Sequence, residues 1–466
     1  MVFPKVVAGL ATFPIFALFM APAVVAPAVL ALAPAAPASA DEASFDDPAA
    51  RVDETVLANG LRVYTLEDHS TPVVSFQIWV QVGSKDETRY TGLAHLFEHM
   101  MFKGSKRLGP EEHAQWIQRR GGRMNAFTSR DVTVYHEDIT AESLPLVIDL
   151  EAERFGSLDL SDRMLESERE VVLEERRLRY EDRPNGRAYE ALSALAWQAH
   201  PYRHPVIGWR SDVAEVPLEA CRDFFDTYYA PNNYRIVIVG DFDTAETLAH
   251  VERAFGGFER GPEVVRPVRR EPEQRGERRS TVTFEVQAPL VYAAWHAPKA
   301  GHEDSVTLDV ASLVLSGGRS SRLYRALVYD EPLVNSVHAY YIEYMHAGLL
   351  YATAAVRPGG SIDAAEARMF EVIEEAAREG VELDEVEKAK RQLEVSLVGG
   401  LGTAHATADR IGREMSLFAR VRPLAERIAE IRAVSAEDVQ RALRKVIRTD
   451  QRSVVRLVPP TGEETP

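Results

Sequence analysis

The chain repeats itself. Val216-Pro217-Leu218-Glu219 returns 218 positions later as Val434-Ser435-Ala436-Glu437, and each tetrad opens an amphipathic helical pattern. Phe224, Phe225 and Tyr229 in the first copy correspond to Ala442, Leu443 and Ile447 in the second. A polar turn follows at Asn232-Asn233 or Asp450-Gln451, and an apolar strand pattern then closes each copy, Tyr234 to Val239 and Ser453 to Val458. An earlier echo, Pro72-Val73-Val74 against Pro289-Leu290-Val291, begins strands at an offset of 217. A chain of 466 residues exceeds one ordinary core, and a period of this length makes it two copies of one domain.

With 45% apolar residues each copy can build its own core. Runs of strands mix with long helices instead of alternating strictly with them. This predicts an α+β fold in which each domain is a largely antiparallel sheet with helices packed on one face. The stretch from Gly256 to Arg279 is rich in Pro, Gly, Arg and Glu, has little apolar periodicity and reads as a solvated linker. The expected divisions are an N-terminal domain over 41–258, a linker over 259–279 and a C-terminal domain over 280–466.

Residues 1–40 stand apart. Lys5 is the only charge ahead of an Ala-, Val-, Leu- and Phe-rich stretch that ends Ala38-Ser39-Ala40, the pattern of a cleaved secretory signal. Pro22, Pro27, Pro34 and Pro37 weaken the competing reading, an uncleaved membrane anchor. The expected location is therefore periplasmic, with no stable membrane span once the signal is removed. A net charge of -17 argues against a nucleic-acid partner. Cys221, the only cysteine, cannot form an internal disulfide and reads as a buried core thiol.

The chemistry is concentrated in His95-Leu96-Phe97-Glu98-His99. On a helix at about 100° per residue, His95 and His99 lie one turn apart with Glu98 on the same stripe, so two imidazoles and a carboxylate can meet one metal ion and its water. The order H-x-x-E-H reverses the commoner zinc-peptidase arrangement. A catalytic zinc keeps an open position and takes three protein ligands, so a third donor is needed. Candidates lie on a predicted helix from about Ser161 to Glu181, where Glu168 and Glu175 share a face one heptad apart; Glu168, Glu174 and Glu175 all remain open.

The motif segment Gly92 to Gly104, the Glu168 to Pro184 helix, His200-Pro201-Tyr202 through Gly208-Trp209 and the strand ending Gly240-Asp241 together resemble the inverzincin metallopeptidases of the pitrilysin and insulysin type, peptidase family M16. Within it the chain looks closest to bacterial members related to mitochondrial processing peptidase. The resemblance implies one Zn2+ per chain. It places the third ligand at Glu175, 76 positions after His99, and makes Glu168 a carboxylate that orients a ligand without binding the ion. It implies an endopeptidase acting on peptides or unfolded segments, with Glu98 as general base. A noncatalytic assembly or peptide-holding subunit is the alternative.

Gly121-Gly122 leads into a predicted strand, Arg123-Met124-Asn125-Ala126-Phe127-Thr128. In the resembled family this strand is an exposed edge beside the zinc, with Asn125, and Ala126 through its backbone, holding the substrate. The second copy has no H-x-x-E-H, and its early helix reads Ser305-Val306-Thr307-Leu308-Asp309-Val310. Relatives supply an Arg and a Tyr from this half. Here Val328 and Asn335 stand in those places, which implies a homologous noncatalytic partner subunit that supplies the pair in trans, unless Arg322, Arg325 or Tyr329 substitutes from a shifted register. His200 and His204 are expected in a proline-broken loop, His113 and His136 carry no signal, and His405 has no local ligand partner.

Overall fold

The computed structural model describes residues 47–266 and 269–460. The expected signal segment, 1–40, lies outside them. Six strands form the first sheet: β1 (Asp53–Val56), β2 (Arg62–Glu67), β3 (Val73–Val80), β4 (Arg123–Thr128), β5 (Thr133–Thr140) and β6 (Tyr234–Gly240), in the order β1-β2-β6-β3-β5-β4. Five form the second: β7 (Arg278–Thr283), β8 (Leu290–Ala297), β9 (Val334–Glu343), β10 (Gly348–Val356) and β11 (Arg452–Val458), in the order β7-β11-β8-β10-β9. Without β1 the two orders correspond strand for strand. Each sheet is antiparallel except at the equivalent pairs β2/β6 and β7/β11. The sequence repeat is therefore a repeat of topology, and the fold is α+β.

Alternation along the strands shows where the layers lie. On β3, Val74, Phe76, Ile78 and Val80 enter the first core with Leu96, Phe97, Val147, Ile148 and Phe224 from the helices below. On β8, Val291, Ala293 and Trp295 enter the second core with Leu308, Ala311, Met369 and Leu443. The intervening residues of β3, Ser75, Gln77 and Trp79, would face solvent in an ordinary two-layer domain, yet each is at most 2% exposed. What covers them is a helix from the other half, Ala404–Phe418, whose Ala408, Ile411 and Met415 join Trp79, Val134, Val237 and Val239 in a separate apolar cluster.

The exchange is reciprocal. Helix Pro184–Ala196, from the first half, lays Leu192 and Ala196 against Ala294, Leu349, Tyr351 and Val455 of the second sheet. Each sheet thus carries its own helices on one face and a borrowed helix on the other. A buried polar cluster sits at the same seam and reaches the second half through the Met345 amide. The Arg130 guanidinium donates to Tyr189 Oη (3.1 Å), Ser193 Oγ (3.2 Å) and the Tyr202 carbonyl, while Asp131 accepts from Tyr202 Oη (2.6 Å) and the Met345 amide (3.0 Å).

The connecting stretch is largely exposed, as its composition suggests, but it is fastened at several points. Arg266 donates to Asn233 Oδ1 (2.8 Å) and pairs with Asp86 (3.3 Å), and Glu271 accepts the amides of Gln198, Ala199 and His200. Gln274 is buried and donates to the Arg452 carbonyl (2.9 Å), and β7 already begins at Arg278. Glu271 and Gln274 are spent on backbone groups that would otherwise be left unpaired.

Candidate metal centre and active site

The H-x-x-E-H residues lie on the helix Leu93–Met100. Its first turn is capped by Glu87, whose carboxylate accepts the amides of Gly92 and Ala94, both at 2.8 Å. Acidic capping of a helix N-terminus satisfies donors that have no partner within the helix. Gly92 holds φ at 85°, and a Cβ there would strike the backbone of Ile207 and Gly208, so the entry turn requires glycine. Leu96, Phe97 and Met100 anchor the helix in the core, with the Phe97 ring 4.7 Å from that of Tyr229. His95, Glu98 and His99 are left on the stripe facing the helix Asp162–Arg176.

Rotation of that second helix turns its glutamates in different directions. Glu174 points outward and is held by Arg177 at 2.6 Å. Glu175 turns inward, with Oε2 3.1 Å from His99 Nε2 and Oε1 3.7 Å from His95 Nε2. Glu168, one heptad earlier and 1% exposed, lies 3.7 Å from His99 Nδ1 and 3.2 Å from Lys103 Nζ. One ligand atom from each of His95, His99 and Glu175 falls within 4.8 Å of the others. Zinc bonds of 2.0–2.2 Å in a tetrahedron put donors about 3.3 Å apart, so the donor set suits zinc in both chemistry and spacing. Beyond Glu175 the helix passes into a π-helical turn, Arg177–Glu181, from which Arg179 reaches back to Glu175 at 2.7 Å.

The electrostatics leave two of the three donors, His95 and Glu175, in the form that binds a metal. Burial pushes His95 down to about 3, only partly offset by Glu175, so its imidazole is neutral. For His99, burial is outweighed by the Glu168 and Glu175 carboxylates, which hold it up at about 9. Burial also opposes ionisation of Glu175, but His99, His95 and Arg179 hold it down at about 2. Glu98 lies outside the ligand set. Its Oε2 accepts the Thr128 hydroxyl at 2.6 Å, and burial raises its carboxyl above the usual range despite His99 and Thr128.

Thr128 belongs to β4, the edge strand of the first sheet. Ala126 and Thr128 face the motif helix. Asn125 and Phe127 face the borrowed helix, where Phe127 meets Trp79 edge-on at 6.1 Å. The Ala126 amide donates to Asn125 Oδ1 at 2.9 Å. In the second half, Arg322 is engaged by Glu385 at 2.6 Å, whereas Arg325 and Tyr329 stack on one another at an exposed turn.

Several residues escaped the sequence reading. Glu87 and Thr128 were not singled out; an acid a few residues ahead of the motif helix was the available signal for the first, and the second had none. His113, read as isolated, is buried against Glu151 (3.2 Å) and Glu137 (3.9 Å) beside Arg154. His136, which carried no signal, and His405, which has no local ligand partner, meet around Asp138. His200 and His204 do flank a short 3-10 turn, Pro201–Arg203.

Two copies of one α+β unit, with a zinc-competent H-x-x-E-H helix in the first alone, define an inverzincin-type architecture. Residues 62–209 match the family model described as Insulinase (Peptidase family M16), and residues 215–393 match the one described as Peptidase M16 inactive domain. The chain belongs to peptidase family M16. An uncharacterized zinc protease of Mycobacterium tuberculosis is 30% identical over 406 residues, covering 86% of this chain and 92% of that one. A probable mitochondrial-processing peptidase subunit beta of Arabidopsis thaliana is 28% identical over 412 residues, 86% of this chain and 76% of that one. The crystal structure of a protease from Helicobacter pylori superposes with a TM-score of 0.84 at 26% identity, over 88% of this chain and 99% of that one.

Proposed function

We propose that the chain is a zinc-dependent endopeptidase for peptides or unfolded polypeptide segments. The observation that carries this reading is the convergence of His95, His99 and Glu175 donors with Glu98 held beside them by Thr128. Zinc bound by the three donors would supply Lewis acidity to polarise a scissile carbonyl and to make a water acidic near neutral pH. Glu98 then takes the water's proton and returns it to the leaving amine. Thr128 fixes the carboxylate that moves the proton, and Glu168 orients the His99 ring. An extended peptide adds along β4, held by Asn125 and the Ala126 backbone.

The noncatalytic alternative requires these residues to have no reaction to serve. The proposed domain limits are 41–258 and 280–466, joined by 259–279. Export to a periplasm rests on residues 1–40. A homologous partner subunit supplying Arg and Tyr is proposed because Val328 and Asn335 cannot do so, Arg322 is committed to Glu385, and one relative is itself named as a subunit.

Purified Glu98→Gln is expected to keep as much zinc as the parent and lose peptidase activity by about a hundredfold or more. Full activity with zinc retained overturns the assignment of Glu98, and a parent chain without zinc favours the noncatalytic reading. For the partner, hydrolysis by the isolated chain as fast as by any co-purified assembly would refute complementation.

A further inference from the structure

The seam between the halves holds a second set of metal-ligating side chains, remote in sequence from the first. His136 and Asp138 sit two apart on β5 and so point to one face of the sheet, the face covered by the borrowed helix Ala404–Phe418. That helix brings His405, 267 positions from Asp138, so that His405 Nδ1 lies 3.1 Å from Asp138 Oδ1. The His136 and His405 rings are 4.8 Å apart at 66°, too steeply inclined to stack, and one ligand atom from each of the three residues falls within 4.8 Å of the others. His136 Nδ1 is buried and has no hydrogen-bond partner among the described residues.

We propose that His136, Asp138 and His405 form a second binding site for a divalent ion of the zinc class, structural in role, which clamps the borrowed helix to the first sheet. The donors are right for such an ion: two imidazoles and one carboxylate, with His405 and Asp138 as far apart as the roughly 3.3 Å edge of a zinc tetrahedron requires. Supporting groups surround them. Gln77, opposite His136 in register, donates to the His405 carbonyl at 3.3 Å, and Asp409 lies one helical turn beyond His405. About 40% of the His405 and Asp138 side chains is exposed, which leaves an entry path for the ion.

The placement gives the site a consequence. Helix Ala404–Phe418 follows the glycine-rich stretch Gly399-Gly400-Leu401-Gly402, and Thr403 and Gln77 hold its first turn. His136 also pairs in register with Asn125 on the edge strand. An ion here would pin the helix start directly behind the strand proposed to hold substrate.

The test is cobalt(II) titration of the chelator-stripped full chain, read by visible absorption and by bound metal per chain. The parent is expected to take two equivalents, His405→Asn one, His99→Ala one, and the double variant none. His136→Gln should match His405→Asn, so neither result rests on one substitution, and circular dichroism checks that each variant is folded. Cobalt should also raise the melting temperature of His99→Ala and leave that of the double variant unmoved. If His99→Ala binds no cobalt, or if His405→Asn and His136→Gln bind as much as the parent, the cluster is only an ion pair across the seam and the proposal fails. Because the His99→Ala arm does not use the first site, the outcome is separable from the zinc peptidase assignment.

Discussion

Gly412→Ala sets helix propensity directly against the exchanged-helix architecture. In isolation the change should help, since alanine in a helix interior is favoured over glycine by about 1 kcal/mol. In the folded chain Gly412 lies flat against the indole of Trp79, and an added Cβ would come closer than 3.0 Å to three atoms of that ring. The ring cannot easily yield: it is 2% exposed, its Nε1 donates to Gln77 Oε1 at 2.9 Å, and Phe127 stands edge-on to it. Overpacking of a rigid site costs about 1–3 kcal/mol, and displacing the indole from its hydrogen bond costs about 1 more. Set against the propensity gain, the net expectation is a loss of about 1–3 kcal/mol.

The assay is urea unfolding followed by tryptophan fluorescence, with Gly399→Ala as the control because nothing lies within 4 Å of a Cβ built there. Gly412→Ala should unfold at lower urea than the parent, Gly399→Ala at the same or slightly higher urea, and Trp79→Leu should erase most of the difference that Gly412→Ala makes. A Gly412→Ala protein as stable as Gly399→Ala would refute the reasoning, because it would mean that the helix does not rest on the first sheet.

Glu175→Gln should lose one zinc equivalent relative to the parent, whereas Glu174→Gln, one residue away and turned to solvent, should keep it; metal analysis of the two proteins checks the helix rotation. Burial pushes the Cys221 thiol up to about 12, so the folded chain should resist iodoacetamide at pH 8 and label stoichiometrically once unfolded, by mass spectrometry. Burial raises Asp309 from its ordinary 3.8 to about 7, so folding favours its protonated form: the ionisation penalty is absent below 3.8, grows between 3.8 and 7, and is fully present above 7. Asp309→Asn should therefore melt higher than the parent at pH 8 and alike at pH 4; a difference that does not change with pH would contradict the burial argument.

What the sequence determined by itself was everything written at short range or by repetition. The 218-position echo announced two copies of one topology. H-x-x-E-H placed two imidazoles and a carboxylate on one stripe whatever the rest of the chain did, because helical spacing alone brings residues one turn apart together. The heptad between Glu168 and Glu175 put both on one face for the same reason. Which glutamate turns toward the two histidines was open to local pattern, since Glu174 and Glu175 differ by only about 100° of rotation. Packing against the motif helix turned Glu175 inward and left Glu174 to Arg177. Only the tertiary structure decided that each sheet borrows a helix from the other half, that Glu271 and Gln274 fasten the connecting stretch, and that His136, Asp138 and His405 meet. An apolar stripe on a helix states that something must cover it, but several sheet faces can satisfy that demand equally well, and the choice is made by long-range packing that no local periodicity records.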